Sequence, residues 1–121
     1  MTSKASNYGD VSRYVSNRQD FKHGSCSAVT YDGLAPYDMG RLDDEGRIAY
    51  KGMADYAART HQAFYVVYSY ATPVAWAVGD YVYHVEQKFS VTTSKQQSYF
   101  RVALKGDDFP VVSYFFEGIA T

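Results

Sequence analysis

The residues best suited to bind a ligand lie in one polar run, Ser90 to Gln97, which reads SVTTSKQQ. An apolar pattern typical of a helix follows, and the first N–H groups of a helix have no acceptor within it. Together with the hydroxyls and the ammonium group of Lys95, they predict a pocket for an anion such as a phosphate or a partner's carboxylate. The run also fits an ordinary capping box, with Thr93 as N-cap and Gln96 three residues later. This purely structural alternative stays open.

The surroundings of the run favour a second interpretation, nucleic-acid binding. Between Glu86 and Lys105, four basic residues stand against one acidic residue. Glutamine and arginine side chains can read base edges, and tyrosine rings can stack on bases. The candidate binding residues for an anion, a partner or a nucleic acid are therefore Tyr81, Tyr83, Thr92, Thr93, Ser94, Lys95, Gln96, Gln97 and Arg101.

Catalytic and metal-binding chemistry has no comparable support in the sequence. Cys26 needs a nearby histidine to act as a nucleophile, and His23, His61 and His84 fall in separate predicted elements. The histidines also lack the close spacing of metal ligands. The adjacent acids of 43–45 are explained by a helix start, and no phosphate-loop or dinucleotide-binding motif is present. We therefore expect a protein that is not an enzyme and that has no cofactor and no metal site.

An antiparallel meander at about 64–89 is predicted to position these residues. Phe64 to Tyr70 form an alternating β-branched and aromatic run that fits a mostly buried strand, and Thr72-Pro73 is predicted to end it. A second strand, Val74 to Val78, leads to Gly79-Asp80, a pair suited to a tight hairpin turn. Tyr81 to Val85 make the return strand.

Two helices flank the meander in the predicted fold. Acidic residues at 43–45 followed by helical spacing predict a helix at about 44–59. A second helix is expected at about 93–105, with Gly106 closing it in a left-handed cap. The prediction is thus an α+β domain with a small, mainly antiparallel sheet.

The remaining segments are predicted from weaker patterns. Val11 to Arg18 favour a short helix capped by Asp10, Phe21 to Gly24 a break, and Ser25 to Tyr31 a strand. The apolar segment Val111 to Phe116 is predicted either to close the sheet edge or to dock on another chain.

Composition limits the class of protein. The chain of 121 residues fits one domain, 1–121, with 1–10 as a mobile N-terminus. A net charge of −1 argues against coating nucleic acid by bulk charge, and a single cysteine excludes a disulfide framework within the chain. No apolar run approaches a membrane span, so we expect no membrane association. Thirteen tyrosines suit half-buried sheets and also recognition surfaces.

Two strings, VVYSYATPVAW and FSVTTSKQQ, resemble a signature, YSYxTPxAW followed by SVTTSxxQ, of small proteins encoded by actinobacteriophages. That family is a domain of unknown function, and the resemblance extends from about Asn17 to about Leu104. It implies a phage origin and a shared fold, but no activity. Its pattern has a histidine at the position of Gln96, so imidazole chemistry is not expected there. From the single cysteine and the polar N-terminal residues, we expect a location in the host cytoplasm.

Tyrosine content, near-neutral charge and the lack of a catalytic pattern favour a non-catalytic accessory protein that binds a host or phage protein. Nucleic-acid binding through the basic helix start at 92–101 is the alternative, and self-association stays open. Steep loss of affinity with rising salt would distinguish the nucleic-acid alternative.

Overall fold

A sheet of seven strands in chain order forms the centre of the structure, a computed structural model that describes residues 3–4 and 7–109. The strands are β1 (Ser3–Lys4), β2 (Phe21–His23), β3 (Cys26–Tyr31), β4 (Phe64–Ser69), β5 (Thr72–Val78), β6 (Tyr81–His84) and β7 (Asp107–Asp108). Strands β2 to β6 pair antiparallel, whereas β1 and β7 each pair parallel with their neighbour. The mainly antiparallel sheet and its central meander are as predicted.

Three helices cover the two faces of this sheet: α1 (Tyr8–Ser16), α2 (Asp44–Arg59) and α3 (Val91–Ala103). Helix α2 has the predicted bounds, and the Asp43 side chain caps it by accepting the Gly46 N–H at 2.9 Å. Its buried residues include Tyr50 and Met53, which pack with Trp76 on one face of the sheet. Helices α1 and α3 pack on the other face, so the domain has three layers and confirms the α+β prediction.

The first turn of the meander lies earlier than predicted. Its two residues are Tyr70 and Ala71, because Ser69 pairs directly with Thr72. Pro73 lies within β5, opposite Tyr68, where the register between β4 and β5 shifts. Proline inside a sheet is tolerated at such irregularities because no ladder hydrogen bond is required of it. The second turn, Gly79-Asp80, is as predicted.

Two smaller predictions need correction. The predicted break at Phe21 to Gly24 is wrong, since Phe21–His23 forms β2 and pairs with β3. The short helix after Asp10 exists as α1, but Asn7 is its N-cap and accepts the Asp10 N–H at 2.9 Å. The predicted strand Val111 to Phe116 lies outside the described residues, as do 1–2 and 5–6 of the N-terminal segment.

Candidate functional site

The polar run identified in the sequence is the start of α3, but the helix begins two residues earlier than predicted. Ser90 is the N-cap, and its Oγ accepts the Thr93 N–H at 3.2 Å. At the other end, Leu104 leaves the helix in an extended conformation, and Gly106 is not left-handed. The predicted capping roles of Thr93 and Gly106 are therefore wrong, although a hydroxyl residue does cap the helix.

Three of the predicted binding residues point into the protein. Thr93, Gln96 and Gln97 are 5%, 1% and 9% exposed. The Ser69 hydroxyl donates to Gln96 Oε1 at 2.6 Å, and the Gln96 amide donates to Ser25 Oγ at 2.8 Å. Gln96 therefore ties α3 to β4 and to the turn between β2 and β3.

Gln97 and Thr93 make further links of the same kind. The Gln97 amide donates to the main-chain oxygen of Val85 at 2.7 Å, just beyond β6. The hydroxyls of Thr93 and Ser69 lie 2.9 Å apart, also in the protein interior. Since buried polar groups require such partners, these side chains serve the attachment of α3 to the sheet.

The other predicted site residues of α3 point outward. Thr92, Ser94, Lys95 and Arg101 are exposed, and Arg101 lies 3.9 Å from the carboxylate of Glu86. A pair this long and this exposed contributes little to stability. Of the candidate residues on α3, these four are the ones that solvent or a partner can reach.

Tyr81 and Tyr83 lie on β6, and both are half-buried. Tyr81 contacts Tyr56 and Phe109 edge-on, while Tyr83 stacks on Trp76 with ring centroids 4.9 Å apart. Burial raises the pKa of the Tyr83 hydroxyl above its ordinary value. These ring contacts join Tyr81 and Tyr83 to α2, β5 and Phe109, whereas the inward-facing residues of α3 bond to β4 and to the main chain beyond β6.

Tyr83 and Arg101 do line one cavity together. Its volume is about 340 Å³, and its wall includes four carboxylates, from Asp43, Glu45, Glu86 and Asp108. An excess of negative charge here is opposite to what a phosphate backbone requires. The cavity therefore gives no support to base stacking by Tyr83.

A different cavity, which we call the turn cavity, opens beside the helix start. It measures about 260 Å³ and is lined by Arg41, Ser69, Tyr70, Thr72, Phe89, Ser90 and Thr93. These residues come from the loop before α2, the turn between β4 and β5, and the first turn of α3. Of this set, Thr93 is one of the nine candidate binding residues, and Ser90 belongs to the predicted polar run.

Tyr70 is the residue of this cavity with the most unusual backbone. It occupies the first position of the two-residue turn with φ of +56°, in the left-handed region, and its side chain is 64% exposed. Hairpins favour glycine, asparagine or aspartate where φ is positive, because a Cβ there costs about 1–2 kcal/mol. Residues 64–69 and 72–78 follow the alternating pattern of strands on either side of Tyr70-Ala71, and this pattern could have located the turn from the sequence.

The hydrogen bonds of Cys26 and His84 do not form a catalytic arrangement. Cys26 lies opposite His23 on β2, but its thiol donates to the His23 main-chain oxygen at 3.2 Å. Burial raises the pKa of the Cys26 thiol to about 11, the reverse of what activates a nucleophile. The His84 ring contacts the Leu104 main-chain oxygen at 2.8 Å, and burial lowers the pKa of His84.

Within 3–4 and 7–109, no three histidine, cysteine or acidic side chains come together in a group that could hold a metal ion. None of the helices in this part of the chain has the length and apolar character needed to cross a membrane.

Comparison with known proteins places the chain in a family without assigning an activity. No curated protein and no solved structure matches it. A family of unknown function, DUF8033, matches residues 5–107, which include every described helix and all of the sheet from β2 to β6. The chain therefore belongs to the DUF8033 family.

Proposed function

We propose that this protein is a non-catalytic binding protein, and that its partner is a protein docking on the face around the turn cavity. The observation that carries the proposal is Tyr70, a large aromatic side chain held exposed in a left-handed turn position. Backbone strain of this kind persists where the surrounding structure imposes it, and it concentrates at binding sites. An exposed tyrosine offers contact area at low entropic cost, as binding surfaces require.

The surroundings of Tyr70 support the same proposal. Val91, the residue after Ser90 of the cavity wall, is 88% exposed at the start of α3. Arg41, Tyr70, Phe89 and Val91, together with the turn cavity, make up what we call the binding face. Aromatic, apolar and arginine side chains around a concavity are the composition of interface centres.

A phage origin is part of the proposal and rests on the resemblance of YSYATPVAW and SVTTSKQQ to the actinobacteriophage signature. Both strings contribute residues to the binding face: the first contains the turn at Tyr70, and the second contains Ser90 and Val91. We accordingly propose an accessory protein that acts on a host or phage protein in the host cytoplasm.

Nucleic-acid binding through 92–101 was the alternative, and it loses support from geometry. Gln96 and Gln97 are buried and hydrogen-bonded, so neither reaches a base edge without breaking the attachment of α3. Lys95 and Arg101 are the basic side chains left for phosphates on this helix. If they bind nucleic acid, the double variant Lys95→Ala/Arg101→Ala should weaken binding at low salt, and affinity should fall steeply with added salt.

The experiment is a pull-down with tagged protein from an actinobacterial lysate, split into nuclease-treated and untreated halves. The variant Val91→Ser alters the binding face without touching the core, and Val102→Ser is its control. Val102 is 71% exposed on the same helix, about 16 Å along the axis from Val91.

The proposal expects a protein that survives nuclease treatment, is lost with Val91→Ser and is retained with Val102→Ser. Recovery of nucleic acid, with proteins lost on nuclease treatment, would instead favour the alternative. A protein retained equally by all three baits would contradict the proposed face.

A further inference from the structure

The turn cavity is a fixed structure, because hydrogen bonds hold each of its walls. Arg41 donates its main-chain N–H to Thr72 Oγ1 at 3.0 Å, and its carbonyl accepts from the Gln87 amide at 2.9 Å. Gln87 Oε1 also accepts the Asp43 N–H at 2.9 Å, which joins the loop before α2 to the segment before α3. The backbone that carries Arg41 is therefore fixed at the edge of the cavity.

The polar groups that line the cavity present donors to it. Thr72 is 6% exposed, and its hydroxyl accepts from Arg41 but donates to no described residue. The guanidinium of Arg41 likewise makes no hydrogen bond or ion pair with any residue in the described part of the chain. The Thr72 oxygen has a partner in the Arg41 N–H, and its hydrogen can still donate to a ligand oxygen in the cavity.

The helix start adds two more donors on the same side. Ser90 caps the N–H of Thr93 and its carbonyl accepts from Ser94, but the N–H groups of Val91 and Thr92 have no acceptor in the described structure. The hydroxyls of Ser69 and Thr93 are hydrogen-bonded in the protein interior, since Ser69 donates to Gln96 and its oxygen lies 2.9 Å from that of Thr93. The helix start and Arg41 thus both bring hydrogen-bond donors to the wall of the cavity.

We propose that the turn cavity binds a glutamate or aspartate carboxylate of the protein partner. Arg41 supplies one positive charge, which matches one carboxylate, and the planar guanidinium suits a two-point contact with its oxygens. The rings of Tyr70 and Phe89 form the apolar part of the wall and suit the hydrocarbon stem of such a side chain. The inference rests on the proposed function, because it names the chemistry of the partner at that same face.

The test is an NMR titration of the ¹⁵N-labelled protein with glutamate blocked at both termini. Glutamine blocked in the same way is the neutral isostere, and inorganic phosphate is the competing anion. We expect saturable shifts at the amides of Val91 and Thr92 and at Arg41, with the glutamine compound binding roughly tenfold or more weakly. Arg41→Gln should weaken glutamate binding about tenfold, whereas Lys51→Gln, which removes one exposed charge from α2, should leave it unchanged.

Three results would overturn the inference: glutamine binding as well as glutamate, phosphate binding in preference to both, or shifts not confined to the cavity. Its failure can be told from failure of the proposed function. If the blocked glutamate does not bind but Val91→Ser still abolishes capture of a protein, only the inference of a carboxylate ligand is wrong. If the blocked glutamate does not bind and Val91→Ser does not reduce capture of a protein, the proposed binding face itself is wrong.

Discussion

Replacing Gln96 by leucine separates the two roles that the sequence allowed for this residue. In the structure Gln96 is 1% exposed and bonded to the hydroxyls of Ser69 and Ser25. Leucine keeps most of the side-chain volume, so the change tests the polar contacts rather than a cavity. A role in reading bases would leave stability unaffected, whereas the buried role requires a substantial loss.

The magnitude follows from the two hydrogen bonds. Each contributes about 1 kcal/mol net, and the Ser69 hydroxyl, which is 2% exposed, loses its acceptor at a cost of about 1–3 kcal/mol. Ser25 is half-buried and can turn to water. We expect Gln96→Leu to lower the free energy of unfolding by about 2–4 kcal/mol, which moves the urea midpoint by about 1–2 M.

Urea unfolding followed by circular dichroism measures this, with Lys95→Ala as the matched control. Lys95 is the exposed neighbour on the same helix, and its replacement should change the free energy of unfolding by less than about 0.5 kcal/mol. The double variant Gln96→Leu/Ser69→Ala should recover little of this loss, because the Ser69 oxygen is also the acceptor of the buried Thr93 hydroxyl at 2.9 Å. A midpoint for Gln96→Leu equal to that of Lys95→Ala would refute the buried role.

Three further predictions concern Tyr70, His84 and Cys26. Tyr70→Gly should leave the free energy of unfolding unchanged or raise it by up to about 1 kcal/mol, because glycine relieves the left-handed strain; a clear loss in urea unfolding would show that the ring is needed for folding. Burial holds the pKa of His84 below its ordinary 6.5, so below pH 6.5 the unfolded chain takes up the proton first. The stability that neutral His84 contributes is present above pH 6.5 and is lost as pH falls from 6.5 to the lowered pKa. His84→Gln should therefore reduce the dependence of the free energy of unfolding on pH between pH 7 and 5. An unchanged pH dependence would be evidence against the lowered pKa of His84. At pH 8 a thiol with a pKa of about 11 is about one-thousandth ionised, so Cys26 should react with an aromatic disulfide reagent far more slowly in the folded protein than in urea, and equal rates would contradict its burial.

Much of the fold was predictable because local signals agreed with tertiary packing. Helix α2 has an acidic start at 43–45 and a single small-residue face, and no competing start lies near it. The strands β4 to β6 alternate clearly, and Gly79-Asp80 suits only a tight turn there. In these places one sequence pattern fits one structure.

Where two local solutions were equivalent, the sequence could not decide between them. Ser90 and Thr93 are both hydroxyl residues suited to an N-cap, and packing selects Ser90 because Thr93 and Gln96 are taken up by contacts with β4. Strand β2 has only three residues and is defined by its pairing with β3 rather than by its own pattern. Long-range pairing of this kind leaves little local trace.

The candidate site was harder to predict than the fold, for the same reason. Arg41, Tyr70 and Ser90 are far apart in sequence, and hydrogen bonds from Gln87 and Thr72 bring their segments together. Sequence reasoning located the helix start that forms one wall of the cavity. It could not tell that Gln96 and Gln97 face inward, since their neighbours in space lie on β4 and beyond β6.

Site-specific photo-crosslinking tests most directly whether the binding face contacts a protein. A photo-reactive phenylalanine analogue replaces Tyr70 in one version of the protein and Val102 in another, and both are irradiated in nuclease-treated lysate. We predict a discrete protein adduct from position 70 and none from position 102. Adducts of equal yield from both positions, or none from position 70 while a partner is still captured, would contradict the proposed face.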